Sequence, residues 1–308
     1  MTNSWDQRGA SLFCTTVLLL IPAFTPNAAG RPDRLAHGPT DRRKQKPLTI
    51  LVSILPQKNL VQRVGGANVQ VQVLVKAGQD PHSFKPTPKQ ILALAAVDAF
   101  FTLGLSFEAR LIEKIRSGRP GLTVLAMDKN VQRRALQTLP DAESNAGEPD
   151  PHIWLSPELI LIQLRNIYSG LTAIDPQKTD EYRRNLNTVL AELAGVDREI
   201  SGGLRPFEGR SIFVFHPAFG YFTDYYGLHQ VSVEVEGKRP SPKQLERLIQ
   251  AARLASTKTI FVQRQFDSKS AEVLAESIGG AAVALDPMAA DVIANLKDIA
   301  AAIITALR

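Results

Sequence analysis

PQKTDEYRRNLNTVLAELAGVDREI, residues 176–200, decides the fold. Tyr182, Leu186, Val189, Leu190, Leu193, Val196 and Ile200 recur at three- and four-residue spacings, which puts them on one face of an α-helix. At 1.5 Å rise per residue this helix is roughly 37 Å long, enough to traverse a domain. On both sides of it the period changes. Upstream, Leu48 to Leu55 is an apolar β-type run and Val69 to Val75 alternates apolar with polar residues; further strands read at Ala99–Leu103 and Leu122–Met127. Helices fit Gln57–Val64, a segment starting at Pro88, and Phe107–Arg116. Downstream, strands read at Ser211–Phe215, Val231–Val235, Thr259–Val262 and Ala282–Leu285, with helices between them and a last helix from about Ala290 to Leu307. Strands alternating with helices imply an α/β architecture with parallel sheets. The long helix therefore separates two α/β halves.

A length of 308 residues fits about two domains. With 44% apolar and 21% charged residues the composition is that of a globular protein, which excludes a wholly disordered, collagenous or coiled-coil chain. The formal net charge is +6. Residues 30–46 carry +4 of it, through Arg31, Arg34, Arg42, Arg43, Lys44 and Lys46 against Asp33 and Asp41; residues 1–29 carry none. The rest is only +2, and no stacking aromatics accompany the basic run, so it reads as a solvated basic linker and no nucleic-acid partner is expected.

Residues 1–29 have the form of an export signal peptide: Arg8, an apolar run from Ala10 to Phe24, then Ala28-Ala29-Gly30. The run is short for a membrane span, and a retained N-terminal anchor is the competing reading. Cys14 is the single cysteine and falls within this segment. Leu12-Phe13 before it does not suit a lipoprotein signal, so the exported chain is expected to have neither disulfide nor thiolate ligand.

The halves echo each other. Lys85-Pro86-Thr87-Pro88-Lys89-Gln90 resembles Arg239-Pro240-Ser241-Pro242-Lys243-Gln244, and in each a Thr or Ser N-cap, a proline and a Gln three residues on predict a capping box. Three histidines share a local setting: Asp80-Pro81-His82, Asp150-Pro151-His152 and Phe215-His216-Pro217. His82 follows the second strand, His216 ends a strand, and Asp286 ends another in Ala284-Leu285-Asp286-Pro287. Ligands of open α/β sheets bind at the carboxyl ends of strands. Neutral imidazole and carboxylate suit Zn²⁺, and four such ligands complete a tetrahedral shell. Each also has a bland reading, a loop histidine as a surface or capping residue and Leu-Asp-Pro as a turn. His37 and His229 lack the shared setting.

The motifs, taken in order, resemble those of the metal-binding proteins of ABC importers that take Zn²⁺ or Mn²⁺. The resemblance runs from about Leu48 to the C-terminus. It rests on Gly78–Phe84 with Pro86-Thr87-Pro88, on Asp150-Pro151-His152-Ile153-Trp154-Leu155-Ser156-Pro157, and on His216–Phe222 with Tyr226-Gly227-Leu228. Glu236-Gly237 before Pro240-Ser241-Pro242, Phe266-Asp267-Ser268-Lys269 and Leu285-Asp286-Pro287 complete it. It implies two Rossmann-like lobes (47–172 and 205–308) joined by one linking helix (173–204), with a metal between them held by His82, His152, His216 and Asp286. It also implies a periplasmic, monomeric protein that is no enzyme. Such a protein binds Zn²⁺ with high affinity as transported ligand and meets the membrane transiently through an ABC permease and its ATPase. His at the third position, His216, goes with zinc in this family, where Glu goes with manganese; Mn²⁺ or Fe²⁺ is the alternative cargo.

Departures are visible. Asp141 to Pro149 is short, acidic and free of histidine, unlike the His-rich loop of many zinc members. Arg264 follows a strand and reads as a surface ion-pair partner, with the site's mouth as its other possible place. Two rivals from other classes are weaker. A zinc hydrolase needs an open coordination position and a general base, and the chain has no H-E-x-x-H helix. A surface adhesin fits poorly with export lacking a lipid anchor.

Overall fold

A computed structural model describes residues 46–136, 149–234, 241–263, 265 and 269–308. The expected export signal, residues 30–45 of the basic linker, residues 140–148, Glu236-Gly237, Arg239, Arg264 and Phe266–Ser268 lie outside the described residues.

Among the described residues, eight strands form two four-stranded parallel sheets. Strands β1 (Leu48–Val52), β2 (Val69–Val73), β3 (Ala99–Thr102) and β4 (Thr123–Ala126) lie in the order β2-β1-β3-β4. Strands β5 (Ser211–Val214), β6 (His229–Ser232), β7 (Thr259–Val262) and β8 (Ala281–Ala284) repeat it as β6-β5-β7-β8. In each sheet the order reverses beside the first strand, where open α/β sheets leave a crevice for ligands. The helices are α1 (Leu55–Gly65), α2 (Pro88–Ala93), α3 (Ser106–Gly118), α4 (Pro157–Ile174), α5 (Thr179–Leu204), α6 (Gly220–Tyr225), α7 (Pro242–Leu254), α8 (Lys269–Ser277) and α9 (Val292–Leu307). None is long and apolar enough to cross a membrane.

The linking helix α5 is 26 residues long, flanked by 3-10 turns at Pro176–Lys178 and Arg205–Phe207. Its predicted stripe, half-buried at Leu190 and buried elsewhere from Tyr182 to Ile200, continues to Leu204, against α1, α4 and α9. Both capping boxes form: Thr87 Oγ1 accepts from Gln90 N at 3.3 Å and Ser241 Oγ from Gln244 N at 3.4 Å, while each Gln accepts from its N-cap amide. Helix α4 is absent from the sequence expectation. Ile160, Leu164, Ile167 and Leu171 recur at helical spacing and are buried, and Pro157 stands at the first helical position, so both signals were present beside the extra apolar residues Leu159, Leu161 and Ile162. Strand β6 starts two residues before the predicted Val231 because its ladder with β5 pairs Ser211 with His229. Its hydrogen bonds still run on, from Val233 N to Val214 O and Glu234 N to Phe215 O.

Glu108 fills the crevice of the N-terminal sheet. It is 1% exposed, yet its carboxylate accepts from the amides of Leu103, Gly104 and Leu105 and from Ser53 Oγ. Burial pushes its carboxyl up to about 7 against the pull of these donors.

Candidate metal centre

Three loops bring the histidines together. After β2, the Asp80 carboxylate accepts from the amides of His82 (2.9 Å) and Ser83 (3.2 Å), a local turn that fixes the loop. His152 precedes the 3-10 turn Ile153–Leu155, and Trp154 Nε1 donates to Pro287 O at 2.7 Å, which ties this turn to the loop after β8. His216 lies two residues beyond β5. Its amide donates to Gln263 Oε1 and its carbonyl accepts from Gln263 Nε2, both at 3.1 Å, so its backbone is pinned to the end of β7.

The ring nitrogens face one another. His152 Nε2 is 3.3 Å from His82 Nε2 and 3.2 Å from His216 Nε2. The three form a group of ligand atoms all within 4.8 Å of one another. Behind two of them stand carboxylates: His152 Nδ1 is 2.7 Å from Asp150 Oδ1 and His216 Nδ1 is 3.2 Å from Glu234 Oε2. An Nδ1–H donated backward leaves each Nε2 unprotonated and facing the centre. Asp150 and Glu234 are 0% and 5% exposed, so two negative charges lie buried behind the imidazoles. Among the described residues His82 has no such backing; as a residue it is the exposed member, while its ring is enclosed beside His152 and His216. Burial first, then the neighbouring His152 and His216, holds its imidazole far below the ordinary value. Burial likewise lowers His152, although Asp150 pulls the other way. Both rings are therefore neutral at physiological pH, which is the ligating form.

The fourth predicted ligand is not gathered with the three imidazoles. Asp286 does not belong to the close group among the described residues. Its Oδ1 accepts from Met288 N at 2.9 Å and from Gln265 Nε2 at 3.3 Å. Its neighbours Pro287 and Met288 line the small cavity that His82, His152, Trp154 and His216 also line. That cavity measures about 10 Å³, room for an ion and not for an organic ligand. Sequence reasoning missed Glu234 and gave Asp150 no role. Glu234 falls inside the predicted strand Val231–Val235, so the strand-end signal that singled out Asp286 did not mark it; the observed strand ends at Ser232. His229, left out of the site, is exposed at the start of β6.

Two doubly wound lobes joined by a long helix, with imidazoles gathered where the lobes meet, define a class: a substrate-binding protein of metal transport and not an enzyme. The chain belongs to the family of the periplasmic zinc-uptake complex component A, ZnuA, whose family model matches residues 50–306. A protein of Chlamydia muridarum described as metal-binding is 32% identical over 254 residues, 82% of this chain and 89% of that one. The zinc-binding protein AdcA of Streptococcus pyogenes is 25% identical over 257 residues, 78% of this chain and 50% of AdcA. A crystal structure of ZnuA superposes with a TM-score of 0.79 at 36% identity, covering 85% of this chain and all of that one.

Proposed function

We propose that the protein captures one Zn²⁺ in the periplasm, through Nε2 of His82, His152 and His216 and the carboxylate of Asp286, and hands it as a monomer to an ABC permease driven by its ATPase. The observation that carries this reading is the nitrogen spacing. Tetrahedral Zn²⁺ with Zn–N bonds of about 2.05 Å sets its ligand nitrogens about 3.3 Å apart, against 3.2 and 3.3 Å here. Three bare lone pairs at that distance repel one another unless a cation lies between them. The two buried carboxylates offset the charge of a dication, and a nitrogen-rich set favours Zn²⁺ over Mn²⁺. Asp286 completes the shell from the loop after β8, its Oδ1 already steadied by Met288 N and Gln265. The family match and the pattern of residues 1–29 support export.

Calorimetry on metal-free protein tests the reading. One Zn²⁺ per chain is expected, with Mn²⁺ at least 100-fold weaker; tight Mn²⁺ binding and weak Zn²⁺ binding would reverse the cargo. Asp286→Asn is expected to weaken zinc at least tenfold, and unchanged affinity would remove Asp286 from the shell.

A further inference from the structure

We infer that the slot between α2 and α3 is a docking site for an acidic segment of a partner protein that bears two apolar side chains. Helices α2 and α7 differ in what they bury. Both helices start from the same capping box, yet α7 runs 13 residues and buries Leu248 and Ala252, while α2 ends after six and buries nothing. What α7 fills with its own side chains, α2 leaves open. One hollow of about 220 Å³ is floored by Phe84, Ile91, Phe107 and Leu111. A second, of about 160 Å³, lies beyond Ile91 and Lys114, which line both, and is bounded by Leu92 and Ile115. Leu92 is 74% exposed. Each hollow is of the size of one large apolar side chain.

The rim sets the charge of the occupant. Lys85, Arg110 and Lys114 surround the first hollow and make no ion pair among the described residues. Glu108 is buried, which leaves Glu113 as the single exposed carboxylate on α2 and α3. Unpaired cations around a concave apolar floor fit an acidic peptide that inserts side chains better than a flat lipid surface. The slot also adjoins the centre: Phe84, whose ring packs edge-on against Phe107 at 5.0 Å, follows His82 by two residues. A partner seated here touches the loop that holds the outermost imidazole.

The test titrates the purified full chain, labelled with nitrogen-15, with the synthetic peptide acetyl-Glu-Leu-Glu-Glu-Leu-Glu-amide, with its Lys-for-Glu counterpart, and with phosphatidylglycerol vesicles. The acidic peptide is expected to shift the amides of Phe84, Ile91, Leu92 and Lys114 saturably, and the basic peptide to leave them in place. Arg110→Glu and Leu92→Asp, both at exposed positions, are expected to weaken the peptide at least tenfold while zinc affinity stays within twofold. Unmoved amides at millimolar peptide, or equal binding by Arg110→Glu, would overturn the site. Vesicle binding abolished by Leu92→Asp would overturn it too, in favour of a membrane contact. The shifts are read on metal-free protein, so this outcome is separable from that of the zinc reading.

Discussion

Both faces of β1 drain into one core: Ile50, Leu51 and Val52 all join the buried cluster that runs through α1, α4, α5 and α9. The matching strand of the other lobe is divided. Ile212 and Val214 join that same large cluster, while Phe213 and Phe215 face a smaller one made with Leu248, Ala252, Ile260, Ala271 and Leu274. The imidazoles differ in the same sense. The C-terminal lobe supplies one, backed by Glu234; the N-terminal side supplies one backed by Asp150 and one, His82, with no carboxylate behind it among the described residues. Equal topology thus need not mean equal rigidity. The outer half of the C-terminal lobe rests on a satellite core, and the proposed centre has two imidazoles backed by carboxylates and one without such backing.

The contrast between the cores can be broken by truncation. Leu193→Ala in the large cluster is expected to lower global stability by about 2–5 kcal/mol, read by denaturant unfolding. Leu248→Ala in the small one is expected to speed hydrogen exchange in α7 and α8 first. If both variants raise exchange equally across α1 and α5, the two clusters are one cooperative unit.

At the centre, His216→Ala is expected to lose at least 100-fold in zinc affinity, about 2.7 kcal/mol, and His82→Ala about tenfold less than that. Competition with a chelating dye measures both, and equal losses would erase the distinction between backed and unbacked imidazoles. The carboxylates come next: Asp150→Asn and Glu234→Gln should each weaken zinc by about 10–100-fold with the three imidazoles intact. A silent Glu234→Gln would show that the ring of His216 is oriented without that carboxylate.

The smallest effect is on pH. His82 and His152 have folded values below the unfolded one, so between that depressed range and about 6.5 the unfolded chain binds protons that the folded chain refuses. Stability of the metal-free protein is therefore full above about 6.5 and falls as the solution is acidified. Glu108, raised to about 7, works in the opposite sense between its unfolded value and about 7. The thermal midpoint is expected to fall by a few degrees between pH 7 and 5, less in His82→Asn and more in Glu108→Gln. A midpoint that rises on acidification would contradict the sign.

Much of this was legible in the sequence. The stripe of α5 and the two capping boxes rest on local periodicity and local hydrogen bonds, which a sequence displays directly. The three histidines were marked by prolines and strand ends, and the fold brings them together. Glu234 was hidden because its role comes from a ring 18 residues away across β5 and β6, a tertiary relation with no local mark. Helix α4 carries a stripe too, at Ile160, Leu164, Ile167 and Leu171, but Leu159, Leu161 and Ile162 beside it make its first turns resemble a buried strand.

Glu108 has a consequence of its own. At the reversal of strand order, amides at the end of β3 and the start of α3 point where other doubly wound sheets receive a phosphate group. Here those amides are already satisfied from within the chain. The lobe keeps the outline of a nucleotide socket with a stopper built into it.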